Sequence, residues 1–266
     1  MCAPNGARRN HQDHAALPMT PAELATEAVK LVDARVSVLH LHVRDAQGRH
    51  SLDTGHYRDA IKAIRRAVGD QLVIQVTTES VGIYDRAQQM DLVRELRPEA
   101  VSLALGELCP DAAAESEAAR FYRYLADEGI WAQHILYTPQ QVRRFFELQQ
   151  RGLFGEDRPW CLLVLGNYTQ QRDGDLAEFE RMRTAADLEK LVWSVCCFGA
   201  WEQQAALLAC RRGGHVRLGF ENNLLRADGS TASDNAQLVQ DFTRALEGRR
   251  TPAGAVELRE FLFGGY

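Results

Sequence analysis

The chain is short of several things, and each shortage excludes a class of protein. No pair among its six cysteines (Cys2, Cys109, Cys161, Cys196, Cys197 and Cys210) has the two-residue spacing of zinc ribbons or redox motifs. Cys161 and Cys196-Cys197 lie in the apolar runs "WCLLVLG" and "VWSVCCFG", which reads as inert core thiols in a reducing compartment. No apolar run approaches the length of a bilayer span, and "MCAPNGARRNHQDHAALP" lacks the apolar core of a secretory signal. A soluble cytoplasmic protein with no membrane partner is expected. A net charge of -5 with scattered basic residues leaves no electrostatic footprint for nucleic acid. No Gly-x-Gly-x-x-Gly follows an apolar run, so the usual dinucleotide loop is missing. Low-complexity segments, linkers and long like-charge blocks are absent too, which predicts a single domain over residues 1–266.

What is present is an alternation of short apolar runs and amphipathic stretches. "RVSVLHLHV" precedes "YRDAIKAIRRAV", in which Ile61, Ile64 and Val68 recur at helical spacing. "QLVIQVTT", "AVSLALGE", "IWAQHILY" and "VWSVCCFG" each precede a helical stretch in the same way. "PWCLLVLGN" precedes a polar stretch and the helical "TAADLEKL", and "HVRLGFE" precedes "NAQLVQDFTRALEGR". The start "MCAP", followed by the helix "TPAELATEAVKLVDA" with Thr20 as N-cap and Pro21 in its first turn, makes an eighth unit. Eight strand-then-helix units over 266 residues suit a (β/α)8 TIM barrel better than an open doubly wound sheet. The first strand is shorter than usual.

Residues two apart in a strand share a face. Leu39, Leu41 and Val43 therefore face the helices, while Val38, His40, His42 and Arg44 face inward. "HVRLGFE" sets Arg217, Gly219 and Glu221 against Val216, Leu218 and Phe220, and "LVIQVT" sets Gln75 and Thr77 on the inward face. A barrel carries its site at the C-terminal ends of its strands. His40 and His42 are spaced to share one metal ion, and Glu221, ending the eighth strand, can reach it as a third ligand. Two imidazoles, a carboxylate and an open position suit catalytic zinc, and redox iron uses the same ligand types. His11, His14, His50, His56, His134 and His215 read as structural or solvated.

These residues belong to a longer pattern. "APNGAR", "LPMTPAELATEA", "VLHLHVRDAQGRHSLD", "IQVTT", "RPEAVSLALGE", "VWSVCCFGAWEQQAALLACRRGGHVRLGFENNL" and "SDNAQLV" span nearly the whole chain. In that order they resemble the β-keto acid cleavage enzymes, first described through 3-keto-5-aminohexanoate cleavage. The resemblance implies a zinc-dependent TIM barrel that condenses a β-keto acid with acetyl-CoA and cleaves a carbon-carbon bond, giving acetoacetate and a new acyl-CoA. It implies one catalytic Zn2+ on His40, His42 and Glu221, with acetyl-CoA as co-substrate. Arg217 is matched to the family's active-site arginine, and Thr77 and Ser102 to hydroxyl residues lining its site. A homo-oligomer is also implied.

Two departures stand inside the resemblance. The family usually reads E-D-N where this chain reads Glu221-Asn222-Asn223, so the aspartate in the position of a general base is here an amide that cannot accept a proton at neutral pH. The glycine-rich segment after the sixth strand reads "LGNYTQQRDGD", and the Gly-x-Gly after the seventh reads "CFGAW", which bears on CoA binding. The alternatives are a CoA-independent zinc hydrolase or isomerase of a small oxo-acid, and a catalytically weakened metal-binding relative. For the substrate, Gln133 and Tyr137 on the inward face of the fifth strand, with Arg8 after the "APNGA" turn, are the expected binding residues. That strand carries no acidic residue, which predicts a neutral or acidic keto acid over an amino one.

Overall fold

A computed structural model describes residues 1–155, 159–167 and 172–263. After the N-terminal segment, α1 (Pro21–Asp33) leads into β1 (Val38–Leu41). β2 (Val43–Arg44) and β3 (His50–Ser51) form a small antiparallel pair before α2 (Thr54–Val68). Strand-helix units follow: β4 (Val73–Thr77) with α3 (Arg86–Leu96), β5 (Ala100–Ala104) with the single turn α4 (Leu105–Leu108) and α5 (Glu115–Asp127), and β6 (Trp131–Leu136) with α6 (Pro139–Gln150). The chain then runs through β7 (Trp160–Asn167), the short β8 (Arg172–Asp173), α7 (Leu176–Arg183), β9 (Val192–Cys197), α8 (Glu202–Arg211), β10 (His215–Val216), α9 (Asn235–Ala245) and α10 (Ala255–Phe263).

The sheet runs β1-β4-β5-β6-β7-β9-β10, all parallel. Residues 1–3 fill the seam between its two ends. Cys2 bridges in parallel to both Leu39 and Leu218. Its N–H donates to Val38 O, its carbonyl accepts from His40 N–H, and Ala3 N–H donates to Leu218 O. "MCAP" thus stands in the place of the short first strand and completes the (β/α)8 barrel that the alternation predicts.

Side-chain parity organises the interior. Outward residues such as Leu39, Leu41, Ile74 and Val76 pack on the helices. Inward residues near the strand starts, Val38, Val73, Ala100, Trp131, Trp160 and Val192, form an apolar floor that Ala255 and Leu258 of α10 cover from below. Polar inward residues lie above that floor, at the end of the barrel where the strands finish. The alternating run at 38–44 leaves the sheet earlier than its pattern predicts: β1 stops at Leu41, because the His42 carbonyl is taken at 3.0 Å by the Asn5 side-chain amide. Arg44 turns to the Gly6 and Ala7 carbonyls instead of the interior.

The sixth unit also differs from expectation. Its helix is α7, begun by the Asp175 side chain accepting from Glu178 N–H, whereas "TAADLEKL" contributes only a 3-10 turn at Leu188–Lys190. In "LGNYTQQRDGD", residues 168–171 lie outside the described residues. All six cysteines are free, and five are buried. No helix among the described residues is long and apolar enough to cross a membrane.

Candidate active site

His40 ends its inward run in β1, and His42 follows just beyond it. Glu221 sits in the turn after β10, and several groups fix that turn. Gly219 adopts φ +132°, and a Cβ there would lie 2.5 Å from Ala3 O, so the turn can press against the N-terminal segment only with glycine. The buried Glu202 carboxylate accepts from Gly219 N–H at 3.0 Å and from Asn223 Nδ2 at 3.2 Å. Asn235 Oδ1 accepts from Phe220 N–H at 2.7 Å, and Arg9 donates to Phe220 O. Gly6, at φ +60°, lies directly against Glu221.

These constraints bring three ligand atoms together. His40 Nε2 and His42 Nε2 are 3.1 Å apart and lie 3.5 and 3.2 Å from Glu221 Oε2. All three residues are buried. Burial pushes His40 down to about 4 and His42 down to about 3, so both imidazoles are neutral near pH 7. Burial works against ionisation of Glu221, but the Arg217 guanidinium beside it outweighs that and holds the carboxyl well below the usual range. His40 Nδ1 faces Gln75 Oε1 at 2.8 Å, which makes Nδ1 the donor and leaves Nε2 a lone pair. Glu221 Oε2 has no hydrogen-bond donor among the described residues. A buried convergence of neutral imidazole nitrogen and orphaned carboxylate oxygen is costly without a cation, and the donor set fits a divalent metal such as zinc. The other Glu221 oxygen accepts from Arg217 at 2.9 Å.

His40 and Glu221 of this cluster line a cavity of about 360 Å³ at the strands' C-terminal end, with His42 buried behind them. Arg8, His40, Thr77, Arg217 and Glu221 contribute polar wall, and Ile135, Tyr137, Val164 and Phe198 an apolar one. Buried Arg217 keeps its charge despite desolvation, beside the Glu221 carboxylate, and its Nε has no hydrogen-bond partner among the described residues. Thr77 Oγ1 accepts from Glu79 N–H at 3.1 Å, which leaves its hydroxyl proton to donate elsewhere.

The other expected residues sit deeper. Ser102 is paired with Thr77 across β4 and β5, and its buried Oγ is unpartnered among the described residues, as are both amide atoms of Asn222. Neither lines the cavity. Gln133, expected to bind substrate, is a layer below: its amide bonds to Gln75 and Ser194, and it too is absent from the cavity wall. Parity gives the face of a strand residue correctly and says nothing of its depth.

Sequence reasoning missed the two acidic residues of the cavity. Glu79, just beyond β4, lines the wall with its Oε2 3.9 Å from His42 Nδ1, and Glu107 of α4 lines it while accepting from Ser80 N–H and Oγ. Burial, reinforced by Glu221 and Glu107, pushes Glu79 up to about 7, so this carboxyl exchanges a proton near neutrality. The fifth strand carries no acidic residue, but Glu79 and Glu107 bring two carboxyls to the same cavity from other elements. The signal for both was position: acidic residues immediately after a barrel strand lie on the face where the site is built.

With this geometry in place, comparison with known proteins is informative. A family model described as beta-keto acid cleavage enzyme matches residues 1–263. A 3-keto-5-aminohexanoate cleavage enzyme of Fusobacterium nucleatum is 29% identical over 265 residues, covering 97% of this chain and 94% of that protein. A 3,5-dioxohexanoate:acetyl-CoA acetone transferase of Paraburkholderia graminis is 21% identical, covering 97% of this chain and 93% of that protein. Among solved structures, ObcA in a ternary complex with a C4-CoA adduct and oxalate superposes with a TM-score of 0.73 at 16% identity, over 93% of this chain and 67% of that one. That likeness concerns the fold.

Proposed function

This chain belongs to the beta-keto acid cleavage enzyme family, and on that premise we propose that it transfers acyl groups between a β-keto acid and acetyl-CoA, using one zinc ion on His40, His42 and Glu221. The observation that carries the reading is the buried His-His-Glu cluster opening, beside Arg217, into a cavity at the barrel mouth. In the reaction, the carbon between the two carbonyls of the keto acid loses a proton and attacks the acetyl thioester. The released CoA thiolate then takes the remaining acyl group as the old carbon-carbon bond breaks. The carbanion released by that cleavage takes a proton back, and the products are acetoacetate and a new acyl-CoA.

A zinc ion there would supply Lewis-acid polarisation of the keto and carboxylate oxygens. The chain's own residues do the rest. Arg217, on the cavity wall, faces the substrate carboxylate or the oxyanion that forms on it. The Thr77 hydroxyl orients a reacting carbonyl, and Ser102 and Asn222 support the wall behind it. Tyr137 and Ile135 bound the acyl chain, and Arg8 stands exposed at the rim, where an anionic group of either substrate would pass. The proton needs an acceptor, and an amide at 222 is not one. Glu79, in the same wall as Thr77, offers a carboxylate in its place.

Glu79 and Glu107 also give an amino-bearing keto acid a place to bind, reversing the preference drawn from the fifth strand alone. Incubating the zinc-loaded protein with acetyl-CoA and a panel of neutral, acidic and amino β-keto acids tests the reading. Acetyl-CoA-dependent acetoacetate from at least one acid is expected. Turnover without acetyl-CoA would favour an oxo-acid hydrolase or isomerase instead, and tight metal binding without turnover a relative that only binds.

A further inference from the structure

His40 is held from behind by a file of side chains that crosses the barrel interior. Gln75, its partner across β1 and β4, presents Oε1 to His40 Nδ1 at 2.8 Å. Gln75 Nε2 donates to Gln133 Oε1 at 3.3 Å, and Gln133 Nε2 donates to Ser194 Oγ at 3.4 Å. The same Oγ accepts from Trp160 Nε1 at 2.6 Å. All five residues are buried, and only His40 reaches the cavity at the mouth.

The direction of this file matters more than its length. Each amide turns its oxygen toward His40 and its nitrogen away, so Nδ1 must donate and Nε2 must keep its lone pair. Reversing the file would put a proton on the nitrogen that faces His42 and Glu221, where a metal needs a lone pair. We infer that Gln75, backed by Gln133, is the positioning residue of the metal centre, fixing the tautomer and ring plane of His40 from outside the cavity. A partner on the far nitrogen of a ligating imidazole sets ligand orientation and basicity. The inference rests on the metal reading above and assigns Gln133 a role other than substrate contact.

The test is zinc affinity by chelator competition, with the visible spectrum of the cobalt-substituted protein as a second readout, on folded variants checked by melting. Gln75→Leu should weaken zinc about 10- to 100-fold and alter the cobalt spectrum. Gln133→Leu should weaken it less, and Gln75→Leu with Gln133→Leu together should be no worse than Gln75→Leu alone, because one acts through the other. Gln75→Glu keeps an acceptor on Nδ1 and should bind at least as tightly as wild type, which keeps the test open should the leucine variant fail to fold. Wild-type affinity in Gln75→Leu, beside a His42→Ala control that has lost metal, would overturn the positioning role alone. A wild-type protein that binds no zinc would remove the metal centre and this role with it.

Discussion

Gly6 connects the N-terminal segment to Glu221 of the His40-His42-Glu221 cluster, and Gly6→Ala measures that connection. The residue has φ +60°, a conformation that costs an L-residue such as alanine roughly 1–2 kcal/mol. An alanine Cβ would lie 2.6 Å from Glu221 Cγ, 3.0 Å from its Cβ and 3.2 Å from its Cα. Rotating the Glu221 side chain relieves the first contact only, so the backbone must move, at about 1–3 kcal/mol for an overpacked site. The sum, roughly 2–5 kcal/mol, corresponds to a melting shift of roughly 4–20 °C for a domain of this size. Displacing Glu221 should also weaken zinc binding. Gly129→Ala is the matched control, since Gly129 has φ +65° with nothing within 4 Å of its Cβ position. It should show the conformational cost alone and leave metal affinity unchanged. Calorimetric melting and zinc titration of both variants decide the matter: equal behaviour of the two would refute the claim that Gly6 is needed for close approach to Glu221.

Three further outcomes follow from the same geometry. His134 is buried among Tyr122, Phe145 and Phe154, with neither ring nitrogen bonded among the described residues, and burial pushes it down to about 3. The unfolded chain protonates it below about pH 6.5 while the folded one does not, so its contribution to stability is present above that pH and is lost on acidification. His134→Phe should reduce the acid slope of stability by about 1.4 kcal/mol per pH unit between about pH 6 and 4, and denaturant melts with an unchanged slope would contradict this. Glu79→Gln removes the carboxylate proposed as proton acceptor and should lower kcat roughly 100- to 10,000-fold with zinc content unchanged; wild-type kcat would place the acceptor elsewhere. Asn222→Asp puts a carboxyl at a buried position off the cavity wall, so with Glu79 as acceptor kcat should stay close to wild type; a large rise would show that the amide at 222 limits the reaction.

The barrel was legible because its signals are local and periodic. Alternation of strands and helices and the period of two within each strand place His40, Gln75, Thr77 and Arg217 on the inward face from the sequence alone. The sequence was less informative where the backbone leaves the strand. His42 lies past the end of β1, held by Asn5 from a distant segment, and Glu79 and Glu107 stand in a loop and a short turn where parity assigns no direction. Gln133 shows a different limit: its face was right, but its height in the barrel is set by register with Ser102 and Trp160, which one strand's pattern does not contain. The N-terminal closure was readable only as a short apolar start, since its pairing to Leu39 and Leu218 joins the two ends of the sheet.

The most direct test follows the carbon atoms. Acetyl-CoA carrying carbon-13 in its acetyl group is given to the zinc-loaded protein together with an unlabelled β-keto acid, and the products are read by mass spectrometry. The account predicts label in the acetyl end of acetoacetate and none in the new acyl-CoA, whose acyl carbons come from the keto acid. Label in the new acyl-CoA, or acetoacetate formed without label, would contradict it.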